Sequence, residues 1–426
     1  MDYEAVSDLG PDRRRALFER TAGVDAVRST VRDIVESVRE EGDVALRRYA
    51  SEFDDVELGN VDVTDDAERA YEEIDDDVRA AIEDAAENVR EFHDAQVPED
   101  WRREFSDGRE LGRRFRPIER VGVYAPGGTA AYPSSVLMGV IPAKVAGVEQ
   151  VAVATPPAEE MNPVTLAAMH VAGADRVYAS GGAQAIAALA YGTETVDRVQ
   201  KVVGPGNKFV TAAKAEVRGD VDIDFLAGPS ELFVLADDTA DPGYVAADML
   251  AQSEHDPEAS VVAVTDDEET ADAICREVEA QVADRERADT IEAALDTDAS
   301  GVFVARSMSE AVLFAEEYAA EHLSIQAADD EALLDRIDSA GSVFMGPYAP
   351  VAAGDYATGT NHVLPTNARA KVVGGLSVDT FVRSTTVQRL DEGALADLRN
   401  TITTLADAEG LEAHEASVDA RFEGDD

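Results

Sequence analysis

The stretch Arg120-Val-Gly-Val-Tyr124, followed directly by Ala125-Pro-Gly-Gly128, decides the fold of this chain. Its first part is a short run rich in valine, which is typical of a buried strand. Its second part supplies the proline and glycine of a turn, and a helical run from Ser135 to Ala146 comes next. A strand, a glycine-rich turn and a helix in this order form one βα unit of a parallel sheet.

The same βα pattern repeats along the chain in two series. In the first series, further strands are predicted at 150–154, 176–179 and 199–203, and helices at 164–172, 183–191 and 209–217. In the second series, strands are predicted at 232–236, 260–264, 301–305, 323–326 and 342–345, and helices at 268–280 and 309–320. We therefore predict an α/β fold with mostly parallel sheets.

The ends of the chain have a helical pattern. Residues 11–50 and 66–95 place apolar side chains at helical spacing, and so does the segment from Ala394 to Ala406. The run from Tyr348 to Thr380 is poor in helix signals and mixes Gly with Asp, Asn and His, so we predict a binding loop there.

The chain carries a large excess of acidic residues. Its 426 residues include 88 Asp and Glu against 37 Lys and Arg, a formal net charge of −51. Such a surface remains hydrated in concentrated salt, which screens the repulsion between like charges, so we expect a halophilic protein. The same charge argues against nucleic acid or an anionic membrane as a partner.

Other bulk features indicate a soluble, cytoplasmic protein. The single cysteine, Cys275, excludes an internal disulfide framework and fits a reducing compartment. The N-terminus, Met-Asp-Tyr-Glu-Ala, lacks the basic and apolar regions of a signal peptide, and no apolar run is long enough to cross a membrane.

Two candidate metal ligands lie three residues apart in Asp248-Met-Leu-Ala-Gln-Ser-Glu-His-Asp-Pro257. A helix that begins near Pro242-Gly243 would project Gln252 and His255 from one face. An imidazole beside a carbonyl oxygen suits zinc or a similar divalent ion. A solvated helix end is the alternative interpretation of these two residues.

Four loops rich in glycine or proline follow the strands of the first series. They are Ala125-Pro-Gly-Gly128, Thr155-Pro-Pro157, Ser180-Gly-Gly-Ala-Gln184 and Gly204-Pro-Gly-Asn207. Backbone N–H groups and helix N-termini at such loops favour phosphate, so a nucleotide is a reasonable ligand. No G-x-G-x-x-G fingerprint is present, and each loop alone is also consistent with an ordinary tight turn.

Taken together, the ordered motifs resemble those of histidinol dehydrogenase. They are Gly122-Val-Tyr-Ala-Pro-Gly-Gly128, Gly181-Gly-Ala-Gln-Ala-Ile-Ala-Ala-Leu189, Gly204-Pro-Gly-Asn207, Ala227-Gly-Pro-Ser-Glu231, Gln252-Ser-Glu-His255, Glu321-His322, the run from Ala353 to Pro365, and Glu409-Gly-Leu-Glu-Ala-His414. The resemblance covers about residues 118–414. Ala320 stands where the family commonly has proline, which could loosen the preceding loop, and Ala125 stands where valine is usual.

The resemblance implies a function: oxidation of L-histidinol through L-histidinal to L-histidine with NAD, the final steps of histidine biosynthesis. It implies one Zn²⁺ per subunit, and it assigns each site residue a role. The catalytic acid–base pair is Glu321 and His322, with His322 as the base for the alcohol proton and Glu321 as the base for water. Metal ligands are Gln252, His255, Asp355 and His414. Substrate contacts are Ser230, His322, His362 and Glu409 together with the metal ligands, and NAD contacts are Tyr124, Gln184 and Asn207.

The resemblance also implies the architecture: two incomplete Rossmann-like domains with helical N- and C-terminal extensions. We expect an extension at 1–20, a first α/β domain at 21–121 and 233–375 with the metal and catalytic residues, a second α/β domain with the NAD loops at 122–232, and a dimer-forming helical tail at 376–426. In the resulting homodimer, His414 would come from the partner subunit.

Two other functions are consistent with some of these residues. A metal-dependent hydrolase could use the Gln, His and Asp ligands with a nearby Glu, although it has no need of four glycine-rich strand ends. A non-catalytic protein could bind NAD or an imidazole compound. Without the resemblance, an adjacent Glu321 and His322 would be typical of a helix C-terminus.

Overall fold

The computed structural model describes residues 2–20, 23–106, 108–127 and 132–422. The chain divides into two compact units, one formed by residues 1–96 and 118–381 and the other by 97–117 and 382–426. None of the helices in the described residues is long and apolar enough to cross a membrane.

The first unit contains a parallel sheet of six strands. The strands are β1 (Glu4–Ala5), β9 (Glu231–Ala236), β10 (Ser260–Thr265), β11 (Gly301–Val304), β12 (His322–Gln326) and β13 (Ser342–Met345), in the order β1-β11-β10-β9-β12-β13. Pairing is parallel throughout, with His322 opposite Leu232 between β12 and β9. Strands β9, β10 and β12 are buried along their whole length, and the interiors of β9 and β10 are continuously apolar, as is usual for central strands of a parallel sheet.

A second parallel sheet, of five strands, lies in the same unit. The strands are β4 (Arg120–Tyr124), β5 (Gln150–Thr155), β6 (Arg176–Ala179), β7 (Lys201–Val203) and β8 (Asp222–Ile223), in the order β6-β5-β4-β7-β8. Strands β4 to β7 belong to the predicted βα series, with differences of one or two residues at their ends, whereas β8 was not predicted. The predicted α/β fold with mostly parallel sheets is confirmed.

Helices cover both faces of each sheet. The helices of the first unit are α1 (Pro11–Phe18), α2 (Val24–Glu41), α3 (Asp43–Phe53), α4 (Thr64–Glu73), α5 (Asp76–Asp94), α6 (Pro133–Val145), α7 (Pro163–Ala172), α8 (Gly182–Tyr191), α9 (Lys208–Val217), α10 (Pro242–Ser253), α11 (Glu268–Val282), α12 (Ala288–Leu295), α13 (Met308–Tyr318), α14 (Asp330–Leu334) and α15 (Val351–Tyr356). Short 3-10 helices span Val6–Asp8, Arg369–Lys371 and Val378–Phe381. Two buried apolar clusters flank the five-stranded sheet and two flank the six-stranded sheet.

The N-terminal helices α2–α5 pack against the five-stranded sheet through these clusters. Residues of α2 and α3 join the cluster with α8 and α9, and residues of α4 and α5 join the cluster with α6 and α7. The assignment of residues 21–121 to one domain with 233–375 stays a prediction. Helices α2–α5 lie within 21–121 and pack against the five-stranded sheet.

The second unit consists of an antiparallel sheet and two helices. Its strands are β2 (Trp101–Ser106), β3 (Arg109–Pro117) and β14 (Val382–Leu390), in the order β14-β3-β2, and its helices are α16 (Glu392–Ala408) and α17 (Glu412–Asp419). The sequence pattern predicts the helix at 394–406, which is α16, but none of the three strands. The tail that was expected to be helical from residue 376 therefore also contains β14.

Three predicted segments differ in detail from the structure. The helical stretch expected at 66–95 is divided between α4 and α5, because Ile74 is extended and the Asp75 carboxylate caps α5 by accepting from the Asp77 N–H. The helical region at 11–50 is divided at Gly42, which has φ +58°. The run from Tyr348 to Thr380 is not a continuous loop, because it includes α15.

Candidate functional site

Glu321 and His322 lie at the amino end of the six-stranded sheet. Helix α13 ends at Tyr318, Ala319 turns the chain with a left-handed backbone (φ +50°), and β12 begins at His322. The pair therefore opens a strand, and the helix C-terminus that an isolated Glu-His pair would indicate is not what forms. Ala320, which directly precedes the pair, is buried, and its carbonyl accepts from the Gly341 N–H at 2.9 Å.

One hydrogen bond determines which nitrogen of the His322 ring carries the proton. Nδ1 lies 3.0 Å from the backbone carbonyl oxygen of Glu231. Because a carbonyl oxygen can only accept, Nδ1 carries the proton and Nε2 keeps its lone pair. Burial lowers the pKa of His322 to about 4, so the ring is neutral near pH 7. His322 Nε2 is buried and has no hydrogen-bond partner among the described residues.

The carboxyl group of Glu321 is also buried. Its Oε2 atom accepts the Glu231 backbone N–H at 2.9 Å and lies 3.6 Å from His322 Nδ1. Burial, together with the negative charges of Glu231 and Asp355, raises the pKa of Glu321 well above its ordinary value. A carboxylate with a raised pKa is a stronger base towards water than an ordinary one.

Asp355 and His362 lie next to His322. Asp355, on α15, places Oδ1 3.8 Å from His322 Nε2 and 3.9 Å from His362 Nδ1. His362 Nδ1 donates to the Asp355 backbone carbonyl at 3.0 Å, and His362 Nε2 lies 3.3 Å from Ser135 Oγ. Burial raises the pKa of Asp355 to about 6 and lowers that of His362 to about 4.

Gln252 and His255 lie at the end of α10. Asp241 caps the start of this helix by accepting from the Gly243 and Tyr244 N–H groups. The helix ends at Ser253, so only Gln252 is helical, and His255 lies in the turn that follows, where its N–H donates to the Gln252 carbonyl at 3.3 Å. Gln252 is buried, and His255 is accessible to solvent. Surrounding protein nevertheless lowers the pKa of His255, and its ring interacts electrostatically with His322 and His362.

Ser230 completes the group at this edge, because it immediately precedes β9 and its carbonyl accepts from the Ser260 N–H at 3.0 Å. Its neighbour Glu231 begins β9 opposite the start of β12. The six-stranded sheet therefore presents its candidate residues at the amino ends of its strands. Open parallel sheets commonly bind ligands beyond the carboxyl ends of their strands instead.

The candidate NAD residues lie at the carboxyl ends of the five-stranded sheet. Tyr124, Gln184 and Asn207 line a cavity of about 1750 Å³. The Tyr124 hydroxyl oxygen accepts from the Gly182 N–H at 3.0 Å, and Asn207 caps α9 by accepting from Phe209 N–H at 3.0 Å. All four loops that follow the strands of the first series border this edge of the sheet, although Gly128 lies outside the described residues.

The last two candidates belong to the second unit. Glu409 follows α16 as its C-cap residue, His414 lies on α17, and both are exposed. Over residues 2–20, 23–106, 108–127 and 132–422, no group of three or more His, Cys, Asp or Glu side chains is arranged to hold a metal ion.

The residues present in the first unit nonetheless suit a metal ion. Asp355 offers a half-buried carboxylate, His255 offers a neutral imidazole, and Gln252 offers a buried amide oxygen. Nitrogen and carboxylate oxygen are the ligands that zinc accepts in proteins, and its ligating imidazoles must be neutral. Only Asp355 and His255 are of the His, Cys, Asp or Glu type. This is consistent with the finding that no three such side chains form a metal-binding group in the described residues.

Sequence reasoning missed the residues that hold the site together. Glu231 occurs in a quoted motif but received no role, and Arg20, which pairs with it at 2.7 Å, lies in a segment without diagnostic pattern. Lys214 and Asp224, a buried ion pair at 2.7 Å beside Gly204, were also missed. A charged residue inside an apolar helical run, as Lys214 is in α9, was the one available signal.

Comparison with known proteins gives a consistent result. The family model described as histidinol dehydrogenase matches residues 18–422. The chain is 78% identical over 423 residues to histidinol dehydrogenase of Halobacterium salinarum, covering 99% of this chain and 100% of the relative. It is 45% identical over 403 residues to the Bacillus subtilis enzyme of the same name, covering 94% of each. A crystal structure of histidinol dehydrogenase from Elizabethkingia anophelis superposes with a TM-score of 0.94 at 36% identity, covering 99% of this chain and 97% of that one.

Proposed function

Because this chain belongs to the histidinol dehydrogenase family, we propose that it oxidises L-histidinol to L-histidine through L-histidinal, using two NAD and a bound zinc ion. The reaction would be the end of histidine biosynthesis. Halophilic relatives and the net charge of −51 support operation in concentrated salt.

The state of His322 is the observation that carries the proposal. Oxidising an alcohol requires a base that takes the hydroxyl proton while hydride leaves the carbon. The Glu231 carbonyl holds the proton on Nδ1, and the basic nitrogen, Nε2, has no hydrogen-bond partner in the part of the chain that the structure describes. His322 would take the alcohol proton at Nε2. Bound NAD would supply the hydride acceptor for both oxidations, in the cavity lined by Tyr124, Gln184 and Asn207.

The second oxidation needs a water molecule to be added to the aldehyde. Glu321 lies beside His322 and has a raised pKa, so its carboxylate would take a proton from that water. Protonated His322 would return the proton from the first oxidation to the aldehyde oxygen as the water adds, so that the hydrate carries a hydroxyl group and His322 is again free to take a proton in the second oxidation. One pair of side chains thus serves both steps.

Gln252, His255 and Asp355 would hold zinc together with His414 from a second copy of the chain. When bound, zinc would act as a template that orients the imidazole and amine of the substrate. Ser230, His362 and Glu409 would contact the substrate. A homodimer in which each active site takes residues from both subunits is therefore part of the proposal.

The test is production of NADH, followed at 340 nm, from L-histidinol and NAD in molar KCl. Purified protein is assayed before chelation, after chelation and after zinc is restored. We expect two NADH for each histidinol consumed, loss of activity on chelation and recovery with zinc. A folded, zinc-loaded dimer that makes no NADH from histidinol would show that the proposed activity is wrong.

A further inference from the structure

The Glu231 carboxylate receives four hydrogen bonds in the interior of the first unit. Oε1 accepts from Arg20 Nε at 2.7 Å and from the Asn367 backbone N–H at 2.7 Å. Oε2 accepts from Arg20 Nη2 at 3.1 Å and from the Glu321 backbone N–H at 3.3 Å. The Arg20 and Glu231 side chains are only 6% and 1% exposed, so water and salt screen this ion pair little.

Arg20 also contacts the turn that leads into the catalytic pair. Its Nη2 donates to the Tyr318 backbone carbonyl at 3.0 Å, and its guanidinium carbon lies 3.8 Å from the centroid of the Tyr318 ring. Tyr318 is the last residue of α13, three residues before Glu321. A single side chain from the N-terminal segment therefore fixes both the start of β9 and the approach to β12.

The backbone of Glu231 reaches both members of the pair. Its N–H donates to the Glu321 carboxylate at 2.9 Å, and its carbonyl accepts the proton of His322 Nδ1 at 3.0 Å. The same residue thus orients the proposed base for water and sets the tautomer of the proposed base for the alcohol. The position of this backbone depends on what holds the Glu231 side chain.

We propose that Arg20 and Glu231 are positioning residues for Glu321 and His322. The ion pair anchors the Glu231 backbone, and this backbone holds the Glu321 carboxylate and the Nδ1-protonated form of His322. The proposal rests on the proposed function, because it assigns its effect to the reaction catalysed by that pair. It gives the N-terminal segment before α2 a direct part in organising the site.

The Arg20 fork matters for geometry as well as charge. A guanidinium binds a carboxylate through two parallel hydrogen bonds, whereas an ammonium is a point charge without that fixed direction. Small displacements of a catalytic group cost large factors in rate even when binding is unchanged. Neither Arg20 nor Glu231 is assigned a contact with substrate or NAD, so their loss should alter kcat far more than KM.

The test compares Glu231→Gln, Arg20→Met and Arg20→Lys with the wild-type holoenzyme in molar KCl. We expect kcat to fall about 100-fold in Glu231→Gln and Arg20→Met, while KM for histidinol and NAD stays within about threefold. Arg20→Lys keeps the charge but not the fork, so it should recover about a tenth of the wild-type kcat. Rates are measured well below the unfolding midpoint of each variant.

Arg13→Met is the matched control. Arg13 ties the same N-terminal segment to the six-stranded sheet by donating to the Ser300 carbonyl at 2.8 Å, but no hydrogen bond joins it to Glu231, Glu321 or His322. Its kcat should stay within about twofold of the wild type. If Glu231→Gln and Arg20→Met keep the kcat of this control, or change only in KM, then Arg20 and Glu231 are not positioning residues.

A second readout separates this proposal from the proposed function. Selective ¹⁵N labelling of histidine reports the ring tautomer, and the signals of His322 are those lost in His322→Asn. We expect the Nδ1-protonated form in the wild type and in Arg13→Met, and its loss in Glu231→Gln. Absence of turnover in the wild type would refute the proposed function, while an unchanged tautomer in Glu231→Gln would refute the positioning role.

Discussion

One backbone carbonyl decides the chemistry of His322. Because the Glu231 oxygen accepts from Nδ1 at 3.0 Å, the lone pair of the neutral ring is at Nε2, next to Asp355 and the other candidate site residues. Burial lowers the pKa of His322 to about 4, so this lone pair is available throughout the neutral range. His322 is therefore a base that needs no prior deprotonation.

This state leads to a prediction for His322→Asn. The amide cannot take a proton from the alcohol, so we expect kcat for histidinol to fall by about 10²–10⁴-fold, the usual contribution of a general base. The zinc content should not change, because His322 is not among the proposed ligands. Steady-state kinetics and metal analysis on the same preparation measure both quantities.

His170→Asn serves as the control for this substitution. His170 is an exposed residue of α7 whose ring stacks on Tyr71, away from the site residues. Its substitution should leave kcat within about twofold of the wild type. Full turnover in His322→Asn would mean that another group removes the alcohol proton.

At the level of single residues, the sequence predicts which residues form the site better than it predicts which residues contact them. The motif Glu321-His322 marks the pair, yet nothing in the sequence places Arg20 against Glu231, which lies 211 positions further along the chain. Such a contact is made by tertiary packing, and neither hydrophobic periodicity nor turn signals in the sequence predict it. The same holds for the tautomer of His322, which depends on the pairing of β12 with β9.

Secondary-structure elements were predictable where burial shaped the sequence. Most strands of both parallel sheets are short runs of mainly apolar residues that alternate with helices along the chain, so their order could be inferred. The antiparallel sheet of the second unit was missed because its three strands carry eight arginines and two glutamates on both faces. Without an apolar face there is no alternation to detect.

One element owes its position to a buried ion pair. The loop from Gly204 to Asn207 joins β7 to α9 at the cavity lined by Tyr124 and Gln184. Lys214 Nζ donates to the Gly204 carbonyl at 2.5 Å and to Asp224 Oδ1 at 2.7 Å, and Asp224 Oδ2 accepts the Gly204 N–H at 2.8 Å. Both polar groups of the Gly204 backbone are thus held by one pair of charges.

We expect Lys214→Met to weaken NAD binding selectively. Without the ammonium group the Gly204 carbonyl is unpaired and the loop is no longer fixed, so KM for NAD should rise about tenfold or more. KM for histidinol should stay within about twofold. Initial rates with each substrate varied in turn, well below the unfolding midpoint, measure the difference.

Lys144→Met provides the matched comparison for this loop. Lys144 forms an ion pair with Asp175 at 2.9 Å near the opposite end of the same sheet, and both side chains are partly exposed. Surface pairs contribute little, so neither KM should change. An unchanged KM for NAD in Lys214→Met would show that the loop keeps its shape without the pair.

At the scale of the whole molecule, the proposed site residues are divided between the two compact units. Gln252, His255 and Asp355 belong to the first unit with the Glu321–His322 pair, whereas Glu409 and His414 belong to the second. The family motifs predict all of these residues from sequence. The order of the motifs does not tell whether Glu409 and His414 serve the site of their own subunit or that of the partner, because the sequence is the same in both cases.

Hybrid dimers test the proposed sharing of His414. A His414→Ala subunit keeps His322, and a His322→Ala subunit keeps His414. If His414 acts across the interface, each hybrid contains one complete site, and random mixing should restore about a quarter of the wild-type activity. Each parent alone should be nearly inactive, so activity that appears on mixing is easily measured.

A second mixture controls for artefacts of exchange. Glu321→Ala and His322→Ala remove neighbouring groups of the same unit, so no arrangement of subunits in their hybrids contains a complete site. This mixture should remain inactive even when differently tagged chains prove that subunits have exchanged in molar KCl. If the His414→Ala and His322→Ala mixture also stays inactive under those conditions, His414 serves the site of its own subunit, and the shared active site is wrong.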